Sequence, residues 1–269
     1  MSEKGAETID AFHFGRFYLV QPKGRGHRAG MDAMLLAALV APRGMDVGTV
    51  RIADLGAGAG AAGLAVIARL PEAHVTLVER SPEMAEFARK SAALPQNGHL
   101  GDRIAILEAD VTLTGKERVC AGLQDDHFDH AIMNPPFNDR SDRQAPDSMR
   151  AEAHQMTDGL FESWIRTAGA ILKPGGQMSL IARPQSLTEV IAACGKRFGG
   201  LEITLVHPRE GDNAIRFLLT AIKGSRARPV FRFPLVMHAD LSHKFAPFVD
   251  DLNNGRAAYL RLQPRQNAL

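Results

Sequence analysis

The chain has 269 residues, with 32 Lys and Arg against 30 Asp and Glu, so its formal net charge is +2. This balance excludes a generally basic nucleic-acid coat protein, and a hydrophobic content of 45% excludes a disordered chain. Two cysteines predict no disulfide framework, and no stretch is apolar enough for a secretory signal or a membrane span. We therefore expect a cytoplasmic protein without a membrane partner.

The charge is unevenly distributed along the chain. Residues 216–269 hold nine Lys and Arg against three Asp and Glu, whereas residues 1–215 are slightly acidic. A basic C-terminal part can be the electrostatic contact for a polyanion, or it can be an ordinary solvated surface. The charge count leaves both interpretations open.

The predicted elements begin with an irregular N-terminal part. Residues 1–11 are predicted to be a mobile tail, residues 12–19 a strand-like aromatic run, and residues 21–30 a glycine-containing loop. Residues 31–41 are rich in Ala and Leu, which predicts a buried helix that ends before Pro42.

From residue 50 onward, short apolar runs alternate with helical segments. Ser81 is suited to cap the second of these helices, with Pro82 at its first position. The predicted strands are 50–55, 74–79, 103–107, 128–133, 178–182, 201–206 and 214–222, and the predicted helices are 61–70, 82–94, 161–172 and 187–198. The alternation predicts a Rossmann-like, doubly wound α/β fold with a mostly parallel, seven-stranded sheet. Such sheets bind ligands at the carboxyl ends of their strands, here the loops after residues 55, 79, 108 and 133.

The first of these loops runs from Asp54 through Gly56 and Gly58 to Gly60. Glycine permits a positive φ and a close approach of the backbone to a ligand, although it also serves simple tight turns. The spacing is G-x-G-x-G, and Ala61 stands where the dinucleotide fingerprint has its third glycine, which disfavours a nicotinamide dehydrogenase. No G-K-[ST] sequence follows, so phosphate cradling as in nucleotide hydrolases is disfavoured too.

Acidic residues follow the next two strands. Glu79 ends the second strand, where a carboxylate can accept from both hydroxyls of a ribose, or it is a surface acid beside Arg80. Asp110, followed by Val111, comes after the third strand. Its carboxylate can accept from an adenine amino group while a nearby backbone N–H donates to the ring, or it can stabilise an Asx turn. Beside the glycine loop, both acids favour binding of an adenosine-containing cofactor.

The sequence after the fourth strand is Asn134-Pro135-Pro136-Phe137. Proline fixes φ and removes a donor, so this loop is stiff and has free carbonyls. The amide oxygen of Asn134 and the carbonyl of Pro135 can both accept from one planar amino group, and Phe137 offers a ring for stacking. The alternative is a proline-rich turn, which the strand before it and the upstream loops disfavour.

These segments resemble those of class I S-adenosylmethionine-dependent methyltransferases, in the amino-methyltransferase branch with the N-P-P-[YF] signature. Within it, the chain is most similar to the bacterial tRNA adenine-N6 methyltransferases, whose characterised members modify adenine-37 of a valine tRNA. The resemblance covers about residues 12–222. Its supporting segments are 21–23, 28–38, 54–60, 134–137, 223–226 and 236–238.

The resemblance implies S-adenosylmethionine as cofactor, S-adenosylhomocysteine as product and RNA, most simply tRNA, as partner. It implies no metal and no His or Cys nucleophile. It also implies a role for each matched residue: Asp54, Gly56, Gly58 and Gly60 around the methionine part, Arg28 and Asp32 near the methionyl end, Glu79 at the ribose, Asp110 and Val111 at the adenine, and Asn134, Pro135, Pro136 and Phe137 at the target base.

The domains expected on this basis are an N-terminal extension (1–45), a methyltransferase domain (46–224) and a basic C-terminal extension (225–269). The polar residues 138–154 are either a lid or RNA contact, or a surface loop. Ribosomal RNA or a protein glutamine stays open as substrate, because the same clamp holds a glutamine amide. A non-catalytic RNA-binding subunit is a further alternative, which the intact Asn134 and glycine loop disfavour.

Overall fold

The computed structural model describes residues 7–23, 29–41, 48–136, 159–239 and 244–262. Within these ranges the strands are β1 Glu7–Phe12, β2 Phe17–Pro22, β3 Val50–Leu55, β4 Ala73–Glu79, β5 Ile104–Glu108, β6 Phe128–Met133, β7 Leu172–Ala182, β8 Phe198–His207, β9 Arg216–Lys223, β10 Val230–Phe231 and β11 Leu235–Val236. The helices are α1 Met31–Ala38, α2 Ala61–Arg69, α3 Pro82–Ala92, α4 Gly115–Cys120, α5 Leu160–Ile171, α6 Leu187–Cys194 and α7 Pro247–Asn253, and the 3-10 helices are His13–Gly15, Pro95–Arg103 and Pro184–Ser186.

A nine-stranded sheet forms the centre of the molecule. Its order is β10-β8-β9-β7-β6-β3-β4-β5, and β11 pairs with β8 beside β10. All neighbours are parallel except those of β9, which runs antiparallel to β7 and β8. This arrangement confirms the Rossmann-like, doubly wound α/β fold. All seven predicted strands are present, and the two-residue strands β10 and β11 extend the sheet beyond the prediction.

The chain reverses its direction across the sheet after β5. It winds outward from β3 through β4 to β5, then returns to place β6 on the other side of β3. The carboxyl ends of β3 and β6 therefore lie side by side at the switch point, where doubly wound folds bind ligands.

Apolar side chains fill both faces of the sheet. One core cluster combines α1 and α2 with Ile52, Val206 and Leu218 of the sheet. The other packs α5 and α6 against the opposite face, with Leu55, Met133 and others. β3 and β6 are buried along almost their whole length, as strands covered on both faces are.

Two local predictions need correction. Residues 7–11, predicted as part of a tail, form β1, which pairs antiparallel with β2. The predicted loop between helix 161–172 and strand 178–182 does not exist, because α5 ends at Ile171 and β7 begins at once at Leu172. The positive φ of Gly175, +76°, is accommodated within that strand.

The prediction for the start of α3 is confirmed. The Ser81 side chain accepts a hydrogen bond from the backbone N–H of Met84 at 3.3 Å, and Pro82 occupies the first turn. Glu83 lies in the first turn and Arg89 and Lys90 in the last, as the helix dipole favours.

Chain segments from both ends of the sequence pack against the central helices. Ser91 in α3 accepts from the N–H of Val20 in β2 at 2.9 Å, and the N–H of Tyr259 donates to Ala38 in α1 at 2.8 Å. The division into domains at residues 45 and 224 stays a prediction. No helix in the described ranges is long and apolar enough to cross a membrane.

Candidate active site

A cavity of about 730 Å³ lies at the carboxyl ends of β3, β4, β5 and β6. Its volume is within the range of small-molecule sites, roughly 300–1,000 Å³. The predicted site residues that line it are Asp32, Asp54, Gly56, Gly58, Glu79, Asp110, Val111, Asn134, Pro135 and Pro136. Gly60 does not line it, and Arg28, Phe137 and the segment 138–154 lie outside the described residues.

The glycine loop lies between β3 and α2. Gly56, Gly58 and Gly60 have φ values of +70°, +57° and +93°, a region in which side chains other than glycine are strained. The N–H groups of Gly56 and Ala57 donate to the carbonyl of Val78 at 2.8 and 3.0 Å. These two N–H groups are therefore used inside the protein and anchor the loop to β4.

Two glycines of this region serve packing. A Cβ on Gly60 would lie 2.8 Å from Leu77 Cδ1, so Gly60 allows the start of α2 to approach β4. Gly63, which the sequence reading did not single out, has the same role, because its Cβ would lie 2.8 Å from Val75 Cγ2. Close helix–strand packing is the physical reason for the third glycine of the G-x-G-x-x-G pattern in dinucleotide folds. Counted from Gly58 instead of Gly56, that pattern is complete in Gly58, Gly60 and Gly63, and this spacing was the signal available for Gly63.

Asp54 is buried at the end of β3. Its Oδ2 accepts a hydrogen bond from the N–H of Gly63 in the first turn of α2 at 2.8 Å. Burial raises the pKa of the Asp54 carboxyl to about 7, and the charge of Glu79 adds to the rise, whereas the Gly63 N–H opposes it. The cavity therefore contains one carboxyl that titrates near neutral pH.

Glu79 links the glycine loop to the start of α3. Its Oε2 accepts from the N–H of Gly58 at 2.8 Å, and its Oε1 accepts from the N–H of Ser81 at 2.8 Å. Each carboxylate oxygen can accept more than one hydrogen bond, so acceptor capacity is left toward the cavity. The alternative of a simple surface acid does not describe this side chain.

Asp110 forms the turn that one of the two interpretations predicted, and it also lines the cavity. Its Oδ1 accepts from the backbone N–H of Thr112 at 2.8 Å, which is an Asx turn, and its Oδ2 lies 3.5 Å from Arg80 Nη1. Partial burial alone would raise the pKa of Asp110, but the hydrogen bonds from Thr112 and the charge of Arg80 outweigh it and lower the pKa. Asp110 is thus an ionised acceptor at the cavity wall.

The Asn-Pro-Pro segment closes the cavity beyond β6. The Oδ1 atom of Asn134 is buried and has no hydrogen-bond partner among the described residues. A buried acceptor without a partner costs free energy, about 1–3 kcal/mol, so such an atom in a cavity wall indicates a ligand that donates to it. Pro135 is buried behind it, and Pro136 is exposed.

The helix α1 forms the wall opposite the glycine loop. Asp32 lines the cavity and also pairs with Arg216 at the start of β9, where Nε lies 2.8 Å from Oδ2. Gln21 in β2 lines the same wall, and its side-chain oxygen accepts from the N–H of Ala29 at 2.7 Å. The Asp32–Arg216 pair joins residues 184 positions apart, so no local pattern predicts it.

A tryptophan that the sequence reading overlooked forms part of the cavity wall. Trp164 in α5 lies against Gly56, where an added Cβ would collide with its Cη2. Gly56 therefore has two reasons to lack a side chain, its positive φ and this contact. Among the described residues, no group of three or more His, Cys, Asp or Glu side chains could hold a metal ion.

The family model for the methyltransferase small domain matches residues 32–204, from α1 through β8. The chain belongs to this family. The matched range contains every described wall residue of the cavity except Gln21, Ala29, Gly30 and Met31. The prediction of a methyltransferase is thereby confirmed.

The relatives of this methyltransferase are named for different substrates. It is 32% identical over 181 residues to the tRNA1(Val) (adenine(37)-N6)-methyltransferase of Porphyromonas gingivalis. The aligned residues make up 67% of this chain and 68% of the relative. It is 30% identical to the release factor glutamine methyltransferase of Deinococcus radiodurans over 53% of this chain and 49% of the relative. The crystal structure of a predicted O-methyltransferase, protein Atu636 from Agrobacterium tumefaciens, is 62% identical, with a TM-score of 0.74 over 86% of this chain and all of that one.

Proposed function

We propose that this methyltransferase transfers a methyl group from S-adenosylmethionine to N6 of an adenine in tRNA. The observation that carries the proposal is the buried, unpartnered Oδ1 of Asn134 in the wall of the cavity. It is an acceptor without a donor, which matches an amino group as the group to be methylated. A carboxylate substrate offers this oxygen no donor, whereas an amino group offers two N–H donors, the second of which the Pro135 carbonyl can accept.

The other walls of the cavity fit the cofactor. Glu79 keeps free acceptor capacity beside Gly58, which suits the two hydroxyls of a ribose. Asp110 is an ionised acceptor one strand further, which suits an adenine amino group, and Val111 is an apolar wall beside it. Gly56 and Gly58 let the backbone approach the methionine part, with Asp54 and Asp32 on either side. Arg28 and Phe137 keep their proposed roles at the methionyl end and the target base.

When bound, the cofactor supplies an electrophilic methyl group on a sulfonium. The exocyclic nitrogen of adenine is a weak nucleophile, because its lone pair is delocalised into the ring. Asn134 Oδ1 and the Pro135 carbonyl would accept its two N–H bonds, which draws the nitrogen toward tetrahedral geometry and frees the pair. Proline holds these acceptors in place, and such alignment is worth several kcal/mol of a displacement barrier, up to about 7–11.

An adenine reaches such a clamp only when it is unstacked. RNA loops offer unstacked bases at little cost, which favours an RNA loop over a duplex. The relative in Porphyromonas gingivalis that is named for adenine-37 of a valine tRNA supports tRNA as the RNA. A tRNA substrate places the enzyme in the cytoplasm.

Two alternatives make different demands on the same site. A glutamine side-chain amide also presents a planar amino group. Because one relative is named a release factor glutamine methyltransferase, the experiment below includes protein as a substrate. A non-catalytic RNA-binding subunit would need neither the unpartnered Asn134 acceptor nor the glycine loop.

The decisive experiment uses labelled S-adenosylmethionine with three separated substrates: an unmodified valine tRNA transcript, ribosomal RNA and total protein. Mass spectrometry then identifies the labelled nucleoside or amino acid. N6-methyladenosine in the tRNA fraction is the expected result. Label only in glutamine, only in ribosomal RNA or in no fraction would overturn the proposal.

A further inference from the structure

Most of the basic side chains in the C-terminal part are neutralised by specific acids. Five of the nine Lys and Arg of residues 216–269 form ion pairs, and these pairs are Arg216–Asp32, Lys223–Asp126, Arg232–Glu202, Arg256–Asp250 and Arg261–Glu202. Glu202 is buried between two of them. Most of the positive charge that could have bound a polyanion is therefore used in ion pairs within the fold.

Arg226 and Arg228 are different. Both are exposed, and the described part of the chain offers neither of them an ion-pair or hydrogen-bond partner. Their neighbours along the sequence carry no negative charge, because no Asp or Glu occurs between residues 216 and 239. Residues 226–234, which we term the Arg–Phe strip, thus carry uncompensated positive charge.

The Arg–Phe strip also exposes two aromatic rings. Phe231 is 63% exposed and Phe233 is 93% exposed, so each forgoes the roughly 2 kcal/mol that burial of a phenylalanine contributes. Side chains alternate along an extended chain, so both rings lie on one side and Arg232 on the other. Ile203, which pairs with Phe231, belongs to the α5–α6 side of the sheet.

The strip is held firmly in spite of its exposure. The N–H of Gly200 donates to Ala227 at 2.8 Å, and the N–H of Arg232 donates to Ile203 at 2.8 Å. The guanidinium of Arg232 stacks over the Tyr259 ring at 4.3 Å. The exposed rings are thus presented by an ordered backbone, which lowers the entropy lost on binding.

The aromatic part of the strip is level with the cavity side of the sheet, whereas Arg226 and Arg228 lie nearer the start of β8, where Ala227 accepts from the N–H of Gly200. Strand register relates Met133 to Leu180, Leu180 to Leu219, Leu219 to Ile203 and Ile203 to Phe231. Phe231 is therefore level with the residue that precedes the Asn-Pro-Pro segment. Four strand spacings separate them, which is about 19 Å.

We propose that the Arg–Phe strip binds single-stranded RNA, with unpaired bases stacked on Phe231 and Phe233 and phosphates at Arg226 and Arg228. The inference rests on the proposed function, since the strip would hold nucleotides neighbouring the adenine in the cavity. Aromatic faces interleaved with arginines are the chemistry that binds single strands without base-specific contacts.

The flanking prolines argue against a second copy of this chain as the occupant. Pro229 directly precedes β10 and Pro234 directly precedes β11, and both lack the N–H group that strand pairing between copies would use. Paired copies would also bring the unneutralised arginines together, at an electrostatic cost.

The test compares the full-length wild-type protein with two double variants, Arg226→Ala/Arg228→Ala and Phe231→Ser/Phe233→Ser. The matched control is Arg51→Ala/Lys116→Ala, which removes two exposed charges, one on β3 and one in α4 beyond β5, away from β8 and β10. Binding to an unmodified valine tRNA transcript is measured over a range of salt concentrations. Methyl transfer and sedimentation are followed in the same preparations.

The arginine variant should flatten the slope of log K against log salt by about 1.5, since each neutralised phosphate contributes about 0.7–0.9. The phenylalanine variant should weaken binding about 10- to 100-fold with little change of slope. Wild-type slope and affinity in both variants would overturn the proposal, as would a dimer that the phenylalanine variant dissociates while tRNA affinity is unchanged. If the variants bind tRNA differently from the wild type but the wild type does not methylate tRNA, the RNA-binding role of the strip is supported and the proposed function is rejected. If the wild type methylates tRNA but both variants bind it as the wild type does, the proposed function is supported and the role of the strip is rejected.

Discussion

At the β3–β5 end of the sheet, backbone N–H groups hold acidic side chains, whereas at the β8–β10 end a buried acid holds basic side chains. Asp54 and Glu79 accept from glycine and serine N–H groups and point toward the cavity. Glu202 is buried and pairs with Arg232 at 3.4 Å and Arg261 at 3.2 Å. The first region keeps its polar groups available for a ligand, and the second uses most of its charge internally. A charge count alone therefore says little about where a polyanion binds.

The largest effect is expected from Asn134→Ala. Loss of the acceptor should lower the rate of methyl transfer by two to three orders of magnitude, about the cost of a lost oxyanion-hole contact. Calorimetry should find cofactor affinity near that of the wild type. Asn134→Asp, which keeps an oxygen at the same place, should retain more activity than the alanine variant. An equal loss of cofactor binding would mean that Asn134 belongs to the cofactor site.

Gly56→Ala tests whether the stability and cofactor binding of the β3–β5 end of the sheet depend on close packing around Gly56. Gly175→Ala is its matched control, because its φ of +76° resembles the +70° of Gly56 and open space surrounds it. The control should lose about 1 kcal/mol of unfolding free energy from backbone strain. Gly56→Ala should lose about 3 kcal/mol and bind cofactor at least about tenfold more weakly, because Trp164 must move. Equal losses in urea unfolding would argue against this contact.

Glu202→Ala tests the other end of the sheet. Removing the buried acid leaves Arg232 and Arg261 without their partner, and we expect a loss of about 2 kcal/mol in urea unfolding, discounted for their partial exposure. Cofactor affinity should not change. Glu162→Ala breaks an exposed pair with Arg197 and should cost less than about 1 kcal/mol. A fall in cofactor affinity with Glu202→Ala would show that the two ends are coupled.

The smallest effect is a pH dependence. The pKa of Asp54 is raised by burial to about 7, above its unfolded value of 3.8. Between these values the unfolded chain has lost the proton that the folded chain keeps, so this carboxyl makes the fold less stable as pH rises from about 4 to 7. Asp54→Asn removes that contribution, and its Tm relative to wild type should rise by a few degrees over this range.

His13 contributes in the opposite direction. Burial, with the charges of Arg69 and Arg16, lowers the pKa of His13 to about 4, so this side chain stabilises the fold less as pH falls through the same range. It is present in both proteins, so the difference between wild type and Asp54→Asn isolates the carboxyl. A constant difference in Tm across the range would contradict the raised pKa.

Local sequence patterns predicted the elements whose cause is local. The glycine spacing around Gly56 and Gly58, the cap at Ser81 and the alternation of strands each arise from neighbouring residues. The sequence could not show that Arg232 meets Glu202 or that Arg216 meets Asp32, because these partners are distant in the chain. Strands of two residues such as β10 have no periodicity to detect.

Trp164 is the single tryptophan of the chain, and its indole lies against Gly56 in the wall of the cavity. The protein thus carries one indole fluorophore, which can be excited apart from the two tyrosines and lies next to the glycine loop, remote in the sequence from the Arg–Phe strip. A ligand that enters the cavity changes the polarity around that indole, and its emission should shift or quench. Tryptophan fluorescence can therefore follow occupancy of the cavity without a label, while RNA held only at the strip leaves the emission unchanged.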